Sequence, residues 1–136
     1  DPLHFECLVK NVPDDVEIHQ LAVGNDSKMI SLSEDDFTQA KRVLGDGTIP
    51  MVTIDSLGLD DVDLIKIDVE GYEMEVLKGA EKTLKSVSYL MIELNNNSKK
   101  YGSSNLKIEN YLQKQGFTTM IKAWPDVVWR KKGKRK

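Results

Sequence analysis

The stretch DLIKIDVEGYEMEVLKGAEKTL, residues 63–84, constrains this chain more than any other segment. VDLIKIDV (62–69) is mostly apolar and β-branched, as expected for a strand covered on both faces. The segment beyond it carries Val76, Leu77, Ala80 and Leu84 at i, i+1, i+4 and i+8, one apolar stripe of a helix. Glu81 and Lys85 stand four apart on its polar side, in the favourable order. Between strand and helix stand Asp68, Glu70 and Gly71. Two carboxylates at the end of a buried run either cap the helix or serve a ligand.

The remaining segments extend this alternation. Residues 4–12 place Phe5, Leu8, Val9 and Val12 at helical spacing, and Pro13-Asp14-Asp15 ends the pattern. Residues 16–24 read as a strand closing at Gly24-Asn25-Asp26. Residues 29–33 and 51–55 read as two short strands, with a polar loop containing Gly45-Asp46-Gly47 between them. Residues 89–95 form the next buried strand, followed by a polar loop over 95–105. Residues 106–116 form a helix with Leu106, Ile108, Tyr111 and Leu112 inward, ended by Gly116. Residues 117–124 and 126–132 form a closing pair of strands around Pro125, with Trp124 and Trp129 read as packing. Strand, helix, strand, helix, strand predicts an α/β fold built on a parallel sheet.

Composition narrows the setting. A chain of 136 residues, 40% hydrophobic and 30% charged, suits one domain able to bury a core. No apolar run approaches the roughly 20 residues that cross a bilayer, and no secretory signal opens the chain. Cys7 is the only cysteine, so no internal disulfide forms, and a reducing, cytoplasmic location is expected. The net charge of −3 includes six basic residues in RKKGKRK at the C-terminus. Without those six, 13 of the 19 Lys and Arg face 22 Asp and Glu. An acidic body with a basic end and no aromatics interleaved in it argues against a nucleic-acid partner. The expected division is a domain over residues 1–130 and a solvated basic tail over 131–136.

Ligands of open α/β sheets bind beyond the carboxyl ends of the strands. Asp68 and Glu70 lie at that edge of one strand, and Glu93 and Asn95 at the same edge of the next. Lys66 precedes Asp68 by two, so both side chains point to one face and can pair. Glu93, between Ile92 and Leu94 in an apolar strand, is hard to explain as surface charge. His4 and His19 are possible bases by chemistry alone, but one lies on a helix and the other in a strand body, which favours a scaffold role.

These residues carry a resemblance. Thr53-Ile54-Asp55, then DLIKIDVEGYEMEVLKG (63–79), then Ile92-Glu93 are similar to the signature half of the FkbM-type methyltransferases, over residues 16–94. The resemblance implies a class I, Rossmann-like sheet, mostly parallel with a C-terminal antiparallel pair. It implies S-adenosyl-L-methionine as cofactor and O-methylation of a glycan, lipid or natural-product hydroxyl, with no resident metal. Nothing here matches the family's glycine-rich cofactor turn. Asp1-Pro2 with Lys10-Asn11 matches only the end of the stretch beyond that turn. The chain is therefore expected to be the C-terminal portion of such a domain, lacking its first two strands. It is expected to have little activity alone and to self-associate through exposed sheet edges.

By that resemblance Asp68, Glu70 and Lys66 form the catalytic group. Asp68 accepts the acceptor's proton, Glu70 helps position the acceptor, and Lys66 keeps a carboxylate ionised. Glu93, Asn95 and Tyr72 contact the acceptor. Ala22, Val23 and Gly24 contact the cofactor. Two alternatives come from other classes. Asp61-Val62-Asp63 and Asp68-Val69-Glu70 resemble the metal-holding triplet of sugar-nucleotide glycosyltransferases, and a degenerate domain could bind a partner through an open sheet edge.

Overall fold

A computed structural model describes residues 2–33 and 43–133. Its elements run α1 (Pro2–Asn11), β1 (Ala22–Val23), β2 (Lys28–Leu32), β3 (Val43–Val52), β4 (Leu64–Ile67), α2 (Glu73–Lys78), α3 (Thr83–Ser86), β5 (Tyr89–Glu93), α4 (Asn105–Lys114), β6 (Phe117–Ala123) and β7 (Asp126–Lys131). The strands make two sheets where one was expected, ordered β1-β3-β2 and β4-β5-β7-β6. Pairs β1–β3 and β4–β5 are parallel; β2–β3, β5–β7 and β6–β7 are antiparallel. The mostly parallel expectation is thus corrected, while the C-terminal antiparallel pair is present. The β6–β7 hairpin returns β7 alongside β5 in the opposite sense, and only the helical crossover from β4 to β5 gives parallel neighbours there.

The core lies on one face of the four-stranded sheet. Parallel register sets Ile65 beside Leu90 and Ile67 beside Ile92, and β7 adds Trp129 and Val127 opposite them. Val76, Leu77, Ala80 and Leu84 of the helical stripe pack there with Ile108, Leu112 and Phe117. The other face is only partly covered. Leu64 is 54% exposed and Lys66 is exposed beside it, so the strand over 62–69 is covered on one face rather than two.

The helix after β4 is broken in two, and Asp55 explains the break. The N–H of Asp55 donates to the Gly79 carbonyl at 2.9 Å. Its carboxylate accepts from Lys82 N–H, Thr83 N–H and Thr83 Oγ1, each at 2.9 Å. Those amides therefore begin α3 instead of continuing α2. Desolvation pushes the Asp55 carboxyl up, but the Lys82 and Thr83 hydrogen bonds and the Lys82 charge outweigh it and hold it below 3.8, the ordinary value. Asp55→Ala removes one acceptor from three donors and is expected to cost about 2–3 kcal/mol in thermal or urea melts at neutral pH. A depressed acid stabilises the fold above its unfolded value and loses that contribution as pH falls through its folded value. The gap between parent and variant should therefore close as pH drops below 3.8.

Several local expectations need correction. The strand over 16–24 shrinks to Ala22–Val23, because β3 pairs only with those two residues and Val16, Glu17, His19 and Gln20 stay exposed. Gly45-Asp46-Gly47 lies within β3, not in a loop. A side chain on Gly47 would strike the Ile30 carbonyl, so glycine there permits close approach at an irregularity between Ile30 and Ser31. The rest of that expected loop, residues 34–42, lies outside the described residues. Leu106 is 65% exposed, one helical step off the buried Ile108–Leu112 side of α4. Trp124 is 64% exposed at the β6–β7 turn, whereas Trp129 is fully buried as expected. Lys131 belongs to β7 rather than to a solvated tail. Its Nζ donates to the carbonyls of Leu84 at 2.7 Å and Gln115 at 2.6 Å, tying down the ends of α3 and α4.

Candidate active site

The carboxyl ends of β4 and β5 bring the predicted acids together. Ile67 and Ile92 are register partners, so Asp68, one residue past β4, emerges beside Glu93, the last residue of β5. Lys66 Nζ meets Asp68 Oδ2 at 2.9 Å on the exposed face, as the spacing of two required. Glu93 is half-buried, and desolvation raises its proton affinity above the usual glutamate range. The charge of Asp68, a side-chain hydrogen bond to it and the charge of Glu70 raise it further, with partial opposition from the Asn95 amide. Lys66 is held above the ordinary lysine value by its hydrogen bond to Asp68 and by that charge, with Asp126 and Glu93 adding to the effect.

Glu70 does not cap α2. It stands in left-handed backbone, φ +53°, and its Oε2 accepts from Asn95 Nδ2 at 3.0 Å and Asn97 Nδ2 at 2.9 Å. The turn is closed by Glu73 instead, whose Oε1 accepts the Gly71 N–H at 2.7 Å. Glu73 is 2% exposed. Burial raises its proton affinity, the Gly71 and Glu73 N–H groups lower it, and the charges of Glu70 and Asp68 add to the rise. Gly71 has φ +111°, and a Cβ there would lie 2.6 Å from the Asn97 carbonyl, so the turn after β4 and the loop after β5 touch backbone to backbone.

Tyr72 joins this corner to the other sheet. Its ring meets Tyr101 edge-on, with centroids 4.9 Å apart, and Tyr101 Oη accepts the Val43 N–H at 3.1 Å. Burial raises the Tyr72 phenol above its usual value, with Glu75 and Tyr101 contributing. Gly24 is buried against the same ring, and a Cβ on it would come within 3.0 Å of Tyr72. Ala22 and Val23 are half-buried in β1, and Val23 packs on the main core. Of the three residues expected at the cofactor, Gly24 is the one that lies against Tyr72.

Asp126, Asn97 and Glu73 join the site without having been singled out in the sequence. Asp126 is the cross-strand partner of Glu93, a register that no local pattern reveals. Asn97 sits in an asparagine run that reads as turn composition. Glu73 has the polar character of a helix's first turn, and only its burial sets it apart. Among the described residues, no group of three or more His, Cys, Asp and Glu is placed to hold a metal ion. None of their helices is long and apolar enough to cross a membrane.

Residues 4–119 match the Methyltransferase FkbM domain. The chain belongs to the FkbM methyltransferase family. A crystal structure of Methyltransferase FkbM from Methylobacillus flagellatus KT is similar in fold, with a TM-score of 0.55 and 18% identity, over 95% of this chain and 32% of that one. The chain thus spans about a third of that structure. No curated protein matches. The FkbM match takes in Asp55, Asp68, Glu70, Glu73, Gly79, Glu93, Asn95 and Asn97, whereas Asp126 and the β7 strand lie beyond it.

Proposed function

We propose that this FkbM domain is part of an enzyme that transfers a methyl group from S-adenosyl-L-methionine to a hydroxyl of a glycan, lipid or natural product, with little activity in this chain alone. The observation that carries the reading is the convergence of Asp68, Glu70 and Glu93 at adjacent strand ends, with Lys66 as the cation paired into the group. A carboxylate cluster whose crowding raises the proton affinity of Glu93 favours a bound cation. The cofactor's sulfonium is such a cation, so the residues present fit that end of the molecule. Bound there, the cofactor supplies an electrophilic methyl carbon.

The protein's own residues do the rest. Asp68 would accept the proton of the acceptor's hydroxyl as that oxygen takes up the methyl group that the bound cofactor would supply. Lys66, at 2.9 Å from Asp68 Oδ2, holds that carboxylate in place. Glu70, Glu93 and Asn95 orient the acceptor, and Tyr72 walls the site toward Gly24. Holding the oxygen against the methyl carbon accounts for much of the acceleration in such a displacement.

The test compares S-adenosylmethionine with S-adenosylhomocysteine by calorimetry, because the two differ by one methyl group and one positive charge. The charged form is expected to bind about tenfold more tightly, the effect of roughly 1.4 kcal/mol of screened attraction in a partly exposed site. Glu93 titrates above 4.5, the ordinary glutamate value, so its deprotonation adds negative charge as pH rises. The preference should therefore grow with pH above that value. Equal affinities, or a preference that shrinks as pH rises, would refute the reading.

A further inference from the structure

Glu70 occupies a conformation that residues with a Cβ avoid unless their surroundings impose it; its φ is +53°. Two side-chain amides impose it here. Asn95 Nδ2 and Asn97 Nδ2 both donate to the same oxygen, Oε2, at 3.0 and 2.9 Å. The asparagines also fix each other, because the Asn97 N–H donates to Asn95 Oδ1 at 3.1 Å. Asn96 between them is left-handed, φ +67°, and the turn it makes brings residues 95 and 97 to one oxygen. A Cβ on Gly71 would lie 2.6 Å from the Asn97 carbonyl, so glycine there lets the loop carrying both asparagines come close to the turn that holds Glu70. Both amides go to Oε2, and neither takes up Oε1 of the same carboxylate.

We propose that Asn97 is a positioning residue that acts through Glu70. By occupying Oε2 together with Asn95, it fixes the Glu70 carboxylate beside Asp68 and Glu93 and leaves Oε1 to face the cationic methyl donor. The inference rests on the methyltransferase reading above. It adds a specific consequence: the selectivity for sulfonium over thioether depends on an uncharged amide that carries no charge of its own to offer.

The experiment is a double-mutant cycle on the ratio of S-adenosylhomocysteine to S-adenosylmethionine dissociation constants. Glu70→Gln is expected to reduce the ratio about fourfold, and Asn97→Ala about twofold, since the charge remains but is no longer held. The double variant should be no lower than Glu70→Gln alone, because Asn97 has nothing left to position. Asn97→Ser, which suits the same turn but is too short to reach Oε2, should match Asn97→Ala and guards against a folding failure, checked by thermal melts. An unchanged ratio in both Asn97 variants, or effects that add in full, overturns the assignment while leaving the cofactor reading intact. A parent protein that does not distinguish the two ligands overturns both.

Discussion

Gly79→Ala is expected to destabilise the protein by about 3 kcal/mol or more, lowering the melting temperature by roughly 10 °C. The cause is space, not backbone conformation. Gly79 has φ −77°, which alanine adopts freely. A Cβ there, however, would overlap the carbonyl oxygen of Gly24 and approach Asn25 Cα at 3.3 Å. Both obstacles are backbone, so no side chain can swing aside. The contact also lies where the sheets meet: the Gly24 N–H donates to the Val52 carbonyl, and the Asp55 N–H to the Gly79 carbonyl, each at 2.9 Å. Moving it disturbs β1, the start of α3 and the packing of Gly24 on Tyr72 together. Gly45→Ala is the control, because a Cβ at Gly45 meets nothing within 4 Å. That variant should be near neutral or slightly stabilised, through a less flexible unfolded chain. If the two variants melt within about 1 kcal/mol of each other, close approach does not explain why glycine stands at position 79.

The features legible in the sequence and those hidden from it divide along physical lines. The handover from β4 to α2 was legible because both periods are local: Ile65 and Ile67 alternate with Leu64 and Lys66, and Val76, Leu77, Ala80 and Leu84 recur at helical spacing. All four of that stripe are buried. The Lys66–Asp68 pair comes from strand geometry alone, and the convergence of Asp68 with Glu93 from two parallel strands ending together. The strand over 16–24 failed because a strand needs a neighbour, and pairing extends over only two of its residues. Gly47 misled because turn chemistry and close strand approach use the same residue. The helix over 76–84 looked continuous because nothing near it in sequence announces that Asp55 reaches in from another segment to start α3. Asn97 and Asp126 were invisible for the same reason. Their roles are set by partners 27 and 33 positions away, Glu70 and Glu93.

Asp68→Asn should separate the base from its neighbours more sharply than any other substitution in the acidic corner. Asparagine keeps the shape of aspartate and can still accept from Lys66 Nζ, which now bonds Asp68 Oδ2 at 2.9 Å. What it loses is the capacity to take a proton, a contribution worth about 10²- to 10⁴-fold in transfer rate. Single-turnover transfer of a labelled methyl group from S-adenosylmethionine to a hydroxyl acceptor measures that loss directly, apart from binding. Glu93→Gln is the comparison, because it mimics the protonated state toward which burial, Asp68 and Glu70 already push Glu93. Its rate should fall only a few-fold, and the growth with pH of the preference for the charged cofactor should disappear. Asp68 and Glu93 end neighbouring parallel strands, so the substitutions are what tell their roles apart. A Glu93→Gln loss of about 10²-fold or more, with Asp68→Asn within about tenfold of the parent, would move the base to the end of β5. Asp68 would then act with Lys66 to orient it.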